Sequence, residues 1–157
     1  MTIRPLSAGT IRQTGFANLY AGYTGFEKHV GVDIGGFKPS EGEYRRYSAP
    51  ITLQDKDLNM HGTASGAFTA ALSDIATSWV PYWDDEKGLK DDQFSVTKSL
   101  NVQFKRAMYP GKQYVGTARI LRAEGNNIWT EASIKEIGND RLVATASAEL
   151  SVLRATR

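Results

Sequence analysis

The chain has 157 residues, 41% of them hydrophobic and 23% charged, which suffices for one domain with a real core and not for two ordinary ones. Nineteen basic against 17 acidic side chains leave a formal net charge of +2, too small to make nucleic acid the main partner. The absence of cysteine excludes disulfides, thiolate nucleophiles and Cys-ligated metals, and with only His29 and His61 as histidines no metal site is expected.

The first 26 residues carry Arg4 and Arg12 but no acid, as organelle transit peptides do, yet they read better as an N-terminal extension. That extension, residues 1–28, is expected to hold a short helix over Ile11–Ala21 whose Phe16, Leu19 and Tyr20 pack on a body spanning 29–157. Gly22, Gly25 and Gly35-Gly36 separate it from a first strand, Tyr44–Leu53. A polar loop, Gln54–Asn59, leads to a helix over Gly66–Val80, stopped by Pro81. After a loop over Asp84–Asp92 come four alternating runs, Phe94–Lys105, Gln113–Arg122, Ile128–Ile137 and Leu142–Leu153. Pro110-Gly111, Gly125-Asn126-Asn127 and Gly138-Asn139-Asp140 supply the turns, so the runs read as an antiparallel meander. One apolar helix and one meander bury both their hydrophobic surfaces only if the sheet wraps around the helix, an α+β architecture. No run reaches the ~18–20 apolar residues of a membrane span, since Leu58–Trp83 is broken by Asn59, His61, Gly62 and Asp74; a soluble, cytoplasmic protein is expected.

Chemistry is expected in the helix. Between Asp57 and Asp84 the one acidic or basic side chain is Asp74, and Asp is rarely buried unless something pairs with it or uses it. Burial would raise its pKa and suit it to act as a base. Phe68, Leu72, Ile75 and Trp79 share one helical face, while Asp74 falls at its edge beside Ala67, Ala70, Ala71 and Ser78, which leave room for a ligand. A purely structural hydrogen bond from Asp74 to a loop or a second subunit is the competing reading. Gly62-Thr63-Ala64-Ser65-Gly66 lacks the spacing of a nucleophile elbow, and no phosphate loop is present.

Two blocks carry a resemblance. The first runs Asn59-Met60-His61-Gly62-Thr63-Ala64-Ser65-Gly66-Ala67 and on to Asp74; the second is Ser95-Val96-Thr97, then Leu100–Arg106, then Pro110-Gly111. From about Gly31 to Leu153 the chain resembles the hotdog-fold acyl-CoA thioesterases, in the branch typified by phenylacetic-acid-pathway enzymes. Their pattern is an Asn, then His-Gly-x-x-His-Gly-Gly, then a helical Asp. Ser65 stands here for the second His of that pattern, and Ala67 for its last Gly. A Ser can cap the helix in its place.

The resemblance implies hydrolysis of an acyl-CoA, with coenzyme A as part of the substrate and no further cofactor. It makes Asp74 the general base or nucleophile, the Gly66 N–H the oxyanion donor, and Asn59 and Thr97 the groups that position water or the thioester oxygen. Strand alternation sets Thr97 opposite Val96, Leu100, Val102 and Phe104, so it needs an interface or a bulge to reach Asp74. Lys98, Lys105, Arg106 and Lys112 lie on or near the strand and turn that relatives use around the nucleotide. Phe68, Trp79, Tyr82 and Trp83 line an aromatic or medium-chain acyl pocket, the core or an interface. With Ser65 in place of His, the alternative is a weakened hotdog module that binds acyl-CoA or an apolar acid without turnover. A homodimer or homotetramer with shared sites is expected, Thr97 of one chain reaching Asn59, Gly66 and Asp74 of the other.

Overall fold

The computed structural model describes residues 7–10, 30, 38–40, 46–84 and 86–155, so the helix expected over Ile11–Ala21 lies outside the described residues. The strands are β1 Lys38–Ser40, β2 Arg46–Thr52, β3 Gln93–Phe104, β4 Gln113–Glu124, β5 Asn127–Glu136 and β6 Leu142–Arg154. One long helix, α1, spans Gly66–Trp79, between short 3-10 turns at Asp55–Asp57 and Val80–Tyr82. Its start is the expected residue and its end falls one short of the expectation.

All six strands form one antiparallel sheet in the order β1-β2-β4-β5-β6-β3. The expected four-strand meander therefore holds only for β4, β5 and β6. β3 lies not beside β4 but at the far edge against β6, and β2 takes the place next to β4. The reason is in the connection: segment 105–112 is too long for a tight hairpin, and it buries Met108 under the start of α1, where the Met108 carbonyl accepts the Ala64 N–H at 2.9 Å. By contrast Gly125, at φ +58°, opens a two-residue turn that locks β4 to β5 with Glu124 opposite Asn127.

Small residues let the sheet close on the helix. Ala118, Ala132, Ala144, Ala146 and Ala148 are buried on its inner face, interleaved with Ile120, Ile134 and Leu150. Against them α1 turns Phe68, Leu72 and Ile75, each worth about 1.5–3 kcal/mol of burial. A second, adjoining face carries Thr69, Ser73 and Thr77, all buried, which sequence patterning overlooked. Each hydroxyl donates to the carbonyl four residues earlier, at 3.3, 2.9 and 2.9 Å, so close approach is gained without an unsatisfied polar group. Among the described residues no helix is long and apolar enough to cross a membrane.

Candidate active site

The loop before α1 is built by Asn59. Its backbone N–H donates to Thr63 O at 2.7 Å, its amide nitrogen donates to the Thr63 hydroxyl at 2.9 Å, and its amide oxygen accepts the His61 N–H at 2.8 Å. Gly62 closes the turn at φ +72°, and His61 is exposed. Asn59 is thus tied into the turn that presents the helix start. Two backbone bonds fix that start in space, Ala64 N–H to Met108 O at 2.9 Å and Ser65 N–H to Asp57 O at 2.8 Å.

Ser65 is the N-cap, with extended backbone and its hydroxyl accepting the Phe68 N–H at 3.1 Å. Ser65→Ala should lower stability by about 1 kcal/mol through the lost cap, a fall of roughly 2–4 °C in a thermal melt, with turnover retained. Gly66 follows as the first helical residue. Its N–H has no partner among the described residues, and a methyl group placed on its α-carbon would meet nothing within 4 Å. The donor is open to a ligand and lies at the positive end of the helix dipole.

Two turns on, Asp74 is half-buried rather than buried, at the expected edge beside Ala70, Ala71 and Ser78. The Thr97 hydroxyl donates to Asp74 Oδ1 at 2.8 Å. Both residues belong to one chain, which corrects the expectation that Thr97 reaches across an interface. A β-bulge at Thr97/Ser99 does it instead: Lys98 is the extra residue, so Thr97 lies opposite Leu150 while Leu100 lies opposite Ala148, both on the inner face. Oδ2 of Asp74 remains the open acceptor, with no hydrogen-bond partner among the described residues. The helix rises about 12 Å between Gly66 and Asp74, so one chain cannot set both groups on a single carbonyl.

The aromatic candidates divide. Phe68 and Tyr82 are buried, and Trp79 and Trp83 pack against the core, which makes all four core residues. The cations divide as well. Lys98 pairs with Glu149 at 2.7 Å and Lys105 donates to Gln103, while Arg106 and Lys112 line a cleft of about 260 Å³ with Tyr109, Glu136 and Arg141. Within it Lys112 binds Glu136 at 2.9 Å, and that hydrogen bond holds the Glu136 carboxyl below its usual range. Partial burial opposes the shift, and Asn139 with the charge of Arg141 adds to it. Among the described residues no group of three His, Cys, Asp or Glu could hold a metal ion.

No protein-family model and no curated protein matches the chain. Solved structures do. A thioesterase of Haemophilus influenzae, HI1161, superposes with a TM-score of 0.73 at 17% identity, covering 90% of this chain and 92% of its own. The E. coli PaaI protein from the phenylacetic acid degradation operon gives 0.63 at 19% identity, over 80% and 86%. The smu.793 protein of Streptococcus mutans, solved with acetyl CoA, gives 0.62 at 16% identity, over 77% and 91%. The chain has the hotdog fold.

Within the hotdog sheet, Arg141 and Tyr109 are the cleft residues that sequence reading missed. A signal existed. Pro110-Gly111 precedes β4 and Gly138-Asn139-Asp140 follows β5, so an antiparallel pair brings both turns, and their flanking cations, to one end of the sheet.

Proposed function

We propose that the chain hydrolyses acyl-CoA thioesters, with Asp74 as general base or nucleophile and the Gly66 N–H as oxyanion donor. The bond from Thr97 to Asp74, at the small-residue edge of a hotdog helix, carries this reading. Thr97 fixes the carboxylate through Oδ1 and leaves Oδ2 to take the proton of a water or to attack the carbonyl carbon itself. The negative charge on the carbonyl oxygen is met by the N–H of Gly66, which has no competing partner among the described residues. In the base route Asp74 then returns the proton to the departing thiolate. In the nucleophile route the attack expels the thiolate and leaves an acyl anhydride on Asp74, which water cleaves, its protons going to the thiolate and the medium. By either route water and thioester give the free acid and coenzyme A. The hotdog neighbours support the substrate class, since HI1161 is named a thioesterase and smu.793 was solved with acetyl CoA.

The about 12 Å between Gly66 and Asp74 supports a second element of the reading, a homodimer, alone or paired into a tetramer, in which Asp74 and Thr97 of one chain meet Gly66 and Asn59 of the other. β3 is a free edge of twelve residues with Val96, Leu100 and Phe104 exposed at 43%, 36% and 57%. Pairing two such edges would cover them. A hydrolysis screen across short, long and aromatic acyl-CoAs with a thiol-reporting dye tests the function. Turnover of one class without added metal is expected; tight binding of every ester without turnover would favour the weakened binding module that Ser65 suggests.

A further inference from the structure

Backbone pairing alone does not decide which residue of β3 is the extra one. Val96 lies opposite Ser151 and Ser99 opposite Glu149, which leaves the single position Leu150 for two candidates, Thr97 and Lys98. Leu150 is fully buried, so whichever residue stands opposite it faces α1 and reaches Asp74, while the other becomes the bulge. Moving the bulge by one residue therefore disturbs neither flanking register. It would put the Lys98 ammonium where the Thr97 hydroxyl now donates to Asp74 at 2.8 Å. A carboxylate paired with an ammonium is a poorer proton acceptor and a poorer nucleophile.

The choice is made from the far side of the sheet. Glu149 lies between Ser99 of β3 and Trp129 of β5, and its carboxylate takes the Lys98 ammonium at 2.7 Å. A fully exposed pair would hold little. This one is sheltered: the Glu149 side chain is 25% exposed, and the neighbouring Trp129 ring is covered by the Arg122 guanidinium, 3.8 Å from its centre. The row Arg122, Trp129, Glu149, Lys98 crosses β4, β5, β6 and β3 on the face turned away from α1. Glu149 and Asp74 thus stand on opposite sides of the sheet, with one cation between them to be claimed.

Resting on the reading of Asp74 as the reacting carboxylate, we infer that Glu149 is a positioning residue for hydrolysis: by holding Lys98 outside, it makes Lys98 the bulge and keeps Thr97 on Asp74. Lys98 thereby bears on the reacting end of the substrate and not on its nucleotide.

Glu149→Gln removes the charge and keeps the shape of the side chain. A site that works only with Thr97 inward turns over in proportion to that population, so kcat should fall roughly three- to tenfold with KM within about twofold. Lys98→Thr is the deciding background. There a threonine stands opposite Leu150 whichever residue is the bulge, so adding Glu149→Gln should cause no further loss. Exchanging the charges, Lys98→Glu with Glu149→Lys, should regain most of the rate lost in Glu149→Gln, because the pair is rebuilt outside and an acid at position 98 is repelled by Asp74. An unchanged kcat in Glu149→Gln, the same loss in the Lys98→Thr background, a charge exchange no faster than Glu149→Gln, or a raised KM at full kcat would each overturn the inference.

Interstrand nuclear Overhauser contacts in labelled protein read the register without turnover. Thr97 should lie opposite Leu150 in the wild type, and Lys98 opposite Leu150 in a large part of the Glu149→Gln protein. Thr97 alone opposite Leu150 in both proteins would overturn the inference, whatever the rates. A register that shifts on substitution in a protein without acyl-CoA turnover would remove the hydrolase reading and leave the role of Glu149 in placing the bulge intact.

Discussion

Asp74→Asn should reduce acyl-CoA turnover by about 10²–10⁴-fold, the usual loss when a general base is removed. The substitution keeps the shape of the side chain and an oxygen that can still accept the Thr97 hydroxyl, so the bond at 2.8 Å can survive. Because Asp74 is only half-buried and this is its one side-chain hydrogen bond among the described residues, the melting temperature should move little. Thr97→Val is the companion. It leaves the carboxylate in place but unanchored, and a loss smaller than that of Asp74→Asn is expected from steady-state rates. A near-normal rate in Asp74→Asn protein would exclude Asp74 from the chemistry, and an equal collapse of rate and melting temperature in both variants would make the pair a structural bond.

The second large effect is expected from Gly66→Pro. Proline is well tolerated at the first position of a helix, where the N–H has no helical partner anyway. Ser65 is already extended at φ −65° and ψ 149°, the conformation that a following proline demands, and the space beyond the Gly66 α-carbon is empty. The substitution thus deletes one donor and little else. A loss of roughly 10²–10³-fold in kcat is expected for an oxyanion donor, with the thermal melt nearly unchanged. Co-expressing Gly66→Pro with Asp74→Asn chains should then restore about one quarter of wild-type activity on random pairing in dimers. Co-expressing Thr97→Val with Asp74→Asn chains restores no such paired site, since those residues act from one chain. Absence of recovery in the first mixture would rule out a site shared between chains.

Local chemistry was well written into the sequence. The N-cap at Ser65, the helix start at Gly66, the stop at Pro81 and the two-residue turn at Gly125 all appear where residue types require them. These depend on neighbours within a few positions. Partner choice among strands does not: alternation in Phe94–Lys105 marks a strand but is silent on whether β4 or β6 lies beside it. The edge position of β3 followed from Met108 plugging the space under α1, a contact reached only after the chain has passed the helix and a full strand. The split of the cations has the same origin. Lys98 and Lys105 are near Arg106 in sequence, yet the cleft gathers Arg141 from the turn after β5. For Thr97 the sequence leaves two routes to Asp74, an interface or a bulge, and the structure uses the bulge where the shared site called for the interface, because a period of two does not show where an extra residue sits.

That extra residue gives β3 two reading frames. Up to Thr97 the odd-numbered positions look inward; from Leu100 on, the even-numbered ones do. The first frame delivers a hydroxyl to the carboxylate, and the second lays Leu100, Val102 and Phe104 along the open border of the molecule. Substitutions in one frame can therefore drift without disturbing the other, so contacts along the border can be retuned while the Thr97–Asp74 hydrogen bond stays as it is. Insertions and deletions have no such freedom: removing Lys98 would merge the frames and turn Thr97 away from Asp74 or the apolar border away from its neighbours. Tolerance in this strand belongs to the identity of its residues and not to their number.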